Sequence, residues 1–123
     1  MAKPLECSAV YPTLAVPSVP EACNWYVERL GFKIRFLWGD PPAHGAIMLG
    51  EACVHFWQGE PQLGANWFYF DIGNLDEMHN RAKANGVTIT RGPETYSWGM
   101  REFNAVDLNG YNIRFGQHAG IVD

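Results

Sequence analysis

The sequence predicts an α+β fold made of two tandem βαβββ modules, with curved mixed sheets whose concave faces form a cavity. Three observations carry this. Short apolar runs alternate with a period of two, as strands with one buried face do. Two stretches of helical periodicity each follow a strand, and each runs from a capping pattern to a glycine. The order strand, helix, three strands occurs twice. Val16-x-x-Val19 matches Ile72-x-x-Leu75, Gly31-Phe32 matches Gly86-Val87, and Val54-His55-Phe56 matches Ile113-Arg114-Phe115, at offsets of 56, 55 and 59 residues. Residues 1–123 are thus expected to form one domain of two modules, about 8–58 and 66–117.

Residues 8–16 read as the first strand, with Val10, Leu14 and Val16 on one face and Tyr11, Thr13 and Ala15 on the other. Pro12 has no N–H, so its donor side must not be needed in a ladder. Ser18-Val19-Pro20-Glu21 is a helix start: Ser18 caps, Glu21 completes a capping box, and proline fits the first turn. Val19, Ala22, Cys23, Tyr26, Val27 and Leu30 form the apolar stripe, and Gly31 stops the helix. Lys33 to Gly39 is a strand ended by Asp40-Pro41-Pro42. Ala46 to Leu49 and Ala52 to Trp57 form a hairpin across Gly50-Glu51. Residues 58–65 are a polar, Gly- and Pro-containing connector between the modules.

The second module begins with residues 66–73, where Trp67, Tyr69 and Asp71 alternate with Phe68, Phe70 and Ile72. Asn74-Leu75-Asp76-Glu77 repeats the capping-box pattern, Leu75, Met78 and Ala82 make the buried stripe, and Gly86 ends the helix. Val87 to Thr90 is a strand and Arg91 to Ser97 a loop. The last hairpin turns at Asp107-Leu108-Asn109-Gly110, because an Asn-Gly between alternating apolar runs supplies the positive φ of a tight turn. Arg114 sits in its final strand between Ile113 and Phe115, and so points to solvent or into a cavity.

With 47% hydrophobic and 14% aromatic residues, the chain can build both a core and apolar pocket walls. A net charge of −4 argues against nucleic acid and anionic membrane as partners and permits a cationic ligand. No export signal is expected at Met1-Ala2-Lys3-Pro4, and no run is long enough to span a membrane. Three cysteines, Cys7, Cys23 and Cys53, form no C-x-x-C pair. Reduced, buried thiols in a cytoplasmic protein are the expectation. There is no G-x-S-x-G nucleophile motif, and the Gly59–Gly64 stretch lacks the lysine and following helix of a phosphate loop.

The runs Pro12-Thr13-Leu14-Ala15-Val16, Ala22-Cys23-Asn24-Trp25-Tyr26 and Leu30-Gly31-Phe32 carry a resemblance in the first half. In the second half the runs are Phe68-Tyr69-Phe70-Asp71-Ile72, Asn85-Gly86-Val87, Trp98-Gly99-Met100-Arg101-Glu102-Phe103 and Asp107-Leu108-Asn109-Gly110. In these pieces and their order the sequence resembles the vicinal oxygen chelate superfamily of glyoxalases, bleomycin-resistance proteins and dioxygenases. The resemblance implies four strand positions where the superfamily's metalloenzymes place His or Glu ligands. Here they are Tyr11, His55, Trp67 and Arg114. Of these only His55 is an ordinary ligand for Zn or a related metal, since indole and guanidinium offer no donor pair to a cation. No metal, no other cofactor and no catalytic residue is therefore expected.

The resemblance then leans toward the bleomycin-resistance branch. It implies a homodimer that sequesters an aromatic or cationic small molecule, such as an antibiotic, at the subunit interface. The expected ligand-binding residues are Tyr11, Trp38, His55, Trp57, Trp67, Tyr69, Trp98, Glu102 and Arg114. Aromatic walls would stack on the ligand or hold it by cation–π contact, and Glu102 and Asp71 would neutralise its charge. Arg114 either binds an anionic group or pairs with Glu102. His55 is a polar pocket residue or a neighbour of Arg114. The alternative is a metal-dependent lyase, isomerase or dioxygenase, with a displaced metal or with His55 and Glu102 as acid–base groups.

Overall fold

The computed structural model describes residues 4–119. The expectation about an export signal rests on residues 1–3, outside that range. The first module runs β1 (Thr13–Val16), α1 (Val19–Leu30), β2 (Lys33–Gly39), β3 (Pro42–Leu49) and β4 (Ala52–Gln58). The second runs β5 (Trp67–Asp71), α2 (Leu75–Ala84), β6 (Thr88–Thr95), β7 (Met100–Val106) and β8 (Asn112–His118). Each module folds into its own four-stranded mixed sheet, of order β1-β4-β3-β2 and β5-β8-β7-β6. In both, the first and last strands of the module pair in parallel and the rest are antiparallel. The repeat in the sequence is thus a repeat in topology.

Local chemistry accounts for most boundaries. The Ser18 hydroxyl accepts a hydrogen bond from the Glu21 N–H at 3.3 Å, which satisfies one open donor at the start of α1. Gly31, at φ +79°, turns the chain out of α1, and its N–H and that of Phe32 close the last turn on Val27 and Tyr26. At the end of α2, Gly86 (φ +77°) donates to Lys83 and Val87 to Ala82, a Schellman closure.

Five expectations need correction. The first strand begins at Thr13 rather than residue 8. Pro12 has no N–H to continue the ladder, although its carbonyl still accepts from His55 N at 2.9 Å, and Val10 ahead of it is 83% exposed instead of core. β3 starts at Pro42, not Ala46: Pro42 is the first residue of the strand, paired with Gly39, where a proline without an N–H is tolerated. β6 extends through the expected loop to Thr95, its register shifted at Arg91 and again before Glu94, with Gly92 in the left-handed region between the shifts. The second capping box does not form. Asn74 turns its amide to the Glu77 carboxylate at 3.1 Å, and Gln117 of β8 caps the Leu75 N–H at 2.8 Å. Cys7 is exposed in the segment before β1, while Cys23 and Cys53 are buried as expected. Burial pushes the Cys23 thiol up to about 11, which keeps it protonated.

One continuous apolar core joins the modules. It takes Val19, Cys23, Tyr26 and Leu30 from α1, Leu75 and Ala82 from α2, and Phe56, Phe103, Ile113 and Phe115 from the strands. Phe32 and Phe70 meet edge to face across the modules, with centroids 5.4 Å apart. Two polar clamps reinforce this seam. The Tyr26 hydroxyl donates to Asp107 at 2.6 Å, and the same carboxylate accepts from Asn109 N and Tyr111 N, which shapes the Asp107–Gly110 turn. The Tyr111 hydroxyl donates to the Ala15 carbonyl at 2.6 Å and accepts from Gln62 N. With the helix-bearing faces spent on the core, the opposite face of each sheet is left open, and the exposed aromatics lie there.

Candidate functional site

In the first module the open face is set by strand alternation. Phe56 and Val54 point to the core, so Cys53, His55 and Trp57 point away from it. Register places Ala46 beside His55, and His44 beside both Trp57 and Trp38. Tyr11 stacks on the His55 ring with a centroid distance of 4.9 Å and an interplanar angle of 14°. His55 Nδ1 lies 3.3 Å from His44 Nε2, so one proton is shared between two imidazoles. Phe36 packs edge-on against both histidines. Arg35 lies over the Tyr11 ring at 5.5 Å and reaches Cys53 Sγ at 3.6 Å. His55 Nε2 is buried with no hydrogen-bond partner among the described residues. Burial, then His44 and Arg35, hold the His55 pKa below its ordinary value, so the neutral ring is favoured.

The second module repeats the plan with different chemistry. Trp67 and Tyr69 of β5 share the open face with Arg114 of β8 and with Asn104 and Glu102 of β7. The Arg114 guanidinium lies 3.9 Å from the Trp67 ring centroid. Its Nε donates to Asn104 Oδ1 at 2.8 Å, and its Nη1 is 3.8 Å from Glu102 Oε1. The Tyr69 hydroxyl donates to the other Glu102 oxygen at 2.6 Å. Burial and Glu102 hold the Tyr69 pKa well up, so it remains a donor. Gly116 makes this contact possible: a Cβ there would collide with the Tyr69 ring, which leans across it to reach Glu102.

The two clusters superimpose through the repeat. Tyr11 over His55, with His44 on the diagonal, corresponds to Trp67 over Arg114, with Glu102 on the diagonal. Of the two readings for His55, that of a neighbour of Arg114 gives way to these separate pairs, because each side chain meets the neighbouring strand of its own sheet. His44, absent from the expected site residues, is the missed member. The offset of 58 residues to Glu102 was the signal that could have found it. Trp38 lies on the same face at the outer edge strand, 71% exposed. Trp98 does not join either cluster; it sits in the β6–β7 turn, stacked on Tyr96 at 4.4 Å and 3°. Tyr11, Trp67 and Tyr69 together line a cavity of about 290 Å³ at the seam of the modules. A larger hollow of about 470 Å³, between the β3–β4 turn and the start of α2, is lined by Asp71 but by none of the other expected site residues.

The four superfamily metal positions do not fit a metal. Tyr11 is stacked on His55, Arg114 brings a fixed positive charge over Trp67, and among the described residues no three His, Cys, Asp or Glu side chains come together. No helix of the described residues is long and apolar enough to cross a membrane.

Known proteins share this architecture. TioX from Micromonospora sp. ML1 is 22% identical, aligns over 89% of this chain and 99% of its own, and superimposes with a TM-score of 0.76. The E126Q mutant of the fosfomycin resistance protein FosX from Listeria monocytogenes, a structure with Mn(II) and 1S,2S-dihydroxypropylphosphonic acid, is 16% identical over 95% of this chain and 94% of its own, with a TM-score of 0.72. A 40-residue segment is 42% identical to part of Protein SPEC3 from Strongylocentrotus purpuratus. It spans 32% of this chain and only 19% of that protein, and carries no argument about fold. The family model for the Glyoxalase/Bleomycin resistance protein/Dioxygenase superfamily matches residues 8–115, which include both modules from before β1 into β8. The doubled βαβββ topology and this match together place the chain in the glyoxalase/bleomycin resistance protein/dioxygenase superfamily.

Proposed function

We propose that this protein is a metal-independent binding protein. It holds an aromatic or cationic small molecule against the open aromatic faces, in a pocket completed by a second copy of the chain. One observation carries the reading: the guanidinium of Arg114 lies over Trp67 at the place where metalloenzymes of the superfamily keep a ligand. The surrounding rings support it. Trp57, Trp67 and Tyr69 are 58%, 51% and 45% exposed, an unusual share of large apolar surface for one chain. The seam cavity of about 290 Å³ is at the lower limit for a drug-sized ligand, which favours completion by a partner. Between the two ligand chemistries the geometry favours the aromatic one, because Glu102 is already engaged by Tyr69 and Arg114.

The acid–base alternative is weaker for the same reason. Glu102 is committed to two partners, and His55 shares its Nδ1 with His44 and buries its Nε2. Thermal-shift screening against polycyclic aromatic compounds tests the proposal. A ligand that binds the native state raises the melting temperature by mass action, and Trp67→Ala should reduce that rise. Turnover of any superfamily substrate that His55→Ala abolishes would overturn it.

A further inference from the structure

The charge of the ligand can be read from the way Arg114 is held. Its Nε is used by Asn104 and one guanidinium face by Trp67. Nη1 has only the long 3.8 Å approach of Glu102, and Nη2 makes no hydrogen bond among the described residues. A guanidinium carries five N–H donors in a planar fork, and most of this fork is unspent. The ion pair is also layered. The Arg114 side chain is 20% exposed but that of Glu102 only 6%, so the open face presents the positive member and hides the negative one. Glu102 accepts from Tyr69 on its other oxygen and is fixed below the surface. Arg35 adds a second exposed cation over Tyr11 on the neighbouring module. Two other acids lie close to the second sheet's open face, both solvent-exposed: Glu94, 3.5 Å from Arg91, and Asp71, 3.9 Å from His118, which balances it only when that imidazole is protonated.

Resting on the reading that the open faces bind a small aromatic molecule, we propose that the ligand is an aromatic acid. Its ring stacks beside Trp67 and its carboxylate takes the free edge of Arg114. A planar carboxylate matches the fork with two parallel hydrogen bonds, while an ammonium group would meet a fixed cation. Trp67 and Asn104 hold the guanidinium in place before the ligand arrives, which lowers the entropy lost on binding.

Two isosteric probes test this: 2-naphthoate and 2-naphthylmethylammonium, titrated into the full chain by calorimetry at neutral pH. The inference expects naphthoate to bind about tenfold tighter or more, the scale of a hydrogen-bonded charge. Arg114→Met should erase that preference. Glu102→Gln, which keeps the arginine and removes its buried counter-charge, should tighten naphthoate further, and so supplies an independent reading if Arg114→Met does not fold. Equal binding of both probes, or preference for the ammonium, would overturn the aromatic-acid assignment and leave the aromatic binding site standing. Binding of neither probe, nor of neutral 2-naphthamide, would overturn the aromatic site and this assignment with it.

Discussion

At the scale of single residues, two side chains decide the chemistry, and both act through a diagonal partner. His55 is the only conventional ligand among the four superfamily positions, and its environment favours the neutral ring. The sign of the resulting pH dependence follows. The folded-state pKa lies below the ordinary 6.5, so above that value neither state binds the proton and the pair costs nothing. As pH falls below it, the unfolded chain takes up a proton that the folded chain resists, and stability declines. Among the described residues no carboxylate faces the ring; its neighbours are Tyr11, Phe36, His44 and Arg35. Urea titrations at pH 7.5 and pH 5.5 should therefore show lower stability at the acid value, with a smaller difference in His55→Gln. An equal difference in the variant would mean that other groups carry it. Gly116→Ala makes a second residue-scale prediction. The new methyl would displace the Tyr69 ring and break its bond to the buried Glu102, at a cost of about 1–3 kcal/mol in chemical denaturation. A cost near zero would show that Tyr69 swings aside freely.

At the scale of elements, what could be read in the sequence was what local chemistry controls. Helix boundaries at Ser18, Gly31 and Gly86, the alternation of β5, and the turn at Asp107–Gly110 each depend on residues within a few positions. β6 was not legible beyond Thr90, because Arg91-Gly92-Pro93 reads as a loop and only pairing with β7 makes it a bulged strand. His44 was missed for the same kind of reason. Pro41-Pro42 suggested a turn, and a diagonal contact needs a register that composition does not contain. Tyr26 reads as part of the apolar stripe of α1, yet its hydroxyl, like that of Tyr111, ties one module to the other. Tyr26→Phe should cost about 1–3 kcal/mol, since it leaves a buried Asp107 oxygen without its donor. Asp107 keeps its backbone donors from Asn109 and Tyr111, so the turn itself should persist, visible as unchanged far-ultraviolet dichroism.

At the scale of the whole molecule, the modules share one core and leave two aromatic faces without cover. Trp38 at 71% exposure and Trp57 at 58% are the kind of surface that a partner or ligand buries. Light scattering coupled to size exclusion is expected to give twice the 13.8 kDa mass of the chain. A monomer at high concentration would leave each face to bind ligand alone. One face carries imidazoles and the other a buried acid beneath an arginine, so the repeated topology holds two different chemistries.

The central claim is that the guanidinium of Arg114, at a position where the resemblance leads to the expectation of a metal ligand, leaves no place for a metal, and metal stoichiometry tests it most directly. Protein purified without chelator is measured by inductively coupled plasma mass spectrometry, alongside aromatic-ligand binding before and after dialysis against EDTA. The account predicts no more than trace transition metal and the same affinity after dialysis. One tightly held transition metal ion per chain, with binding lost on its removal, would contradict it.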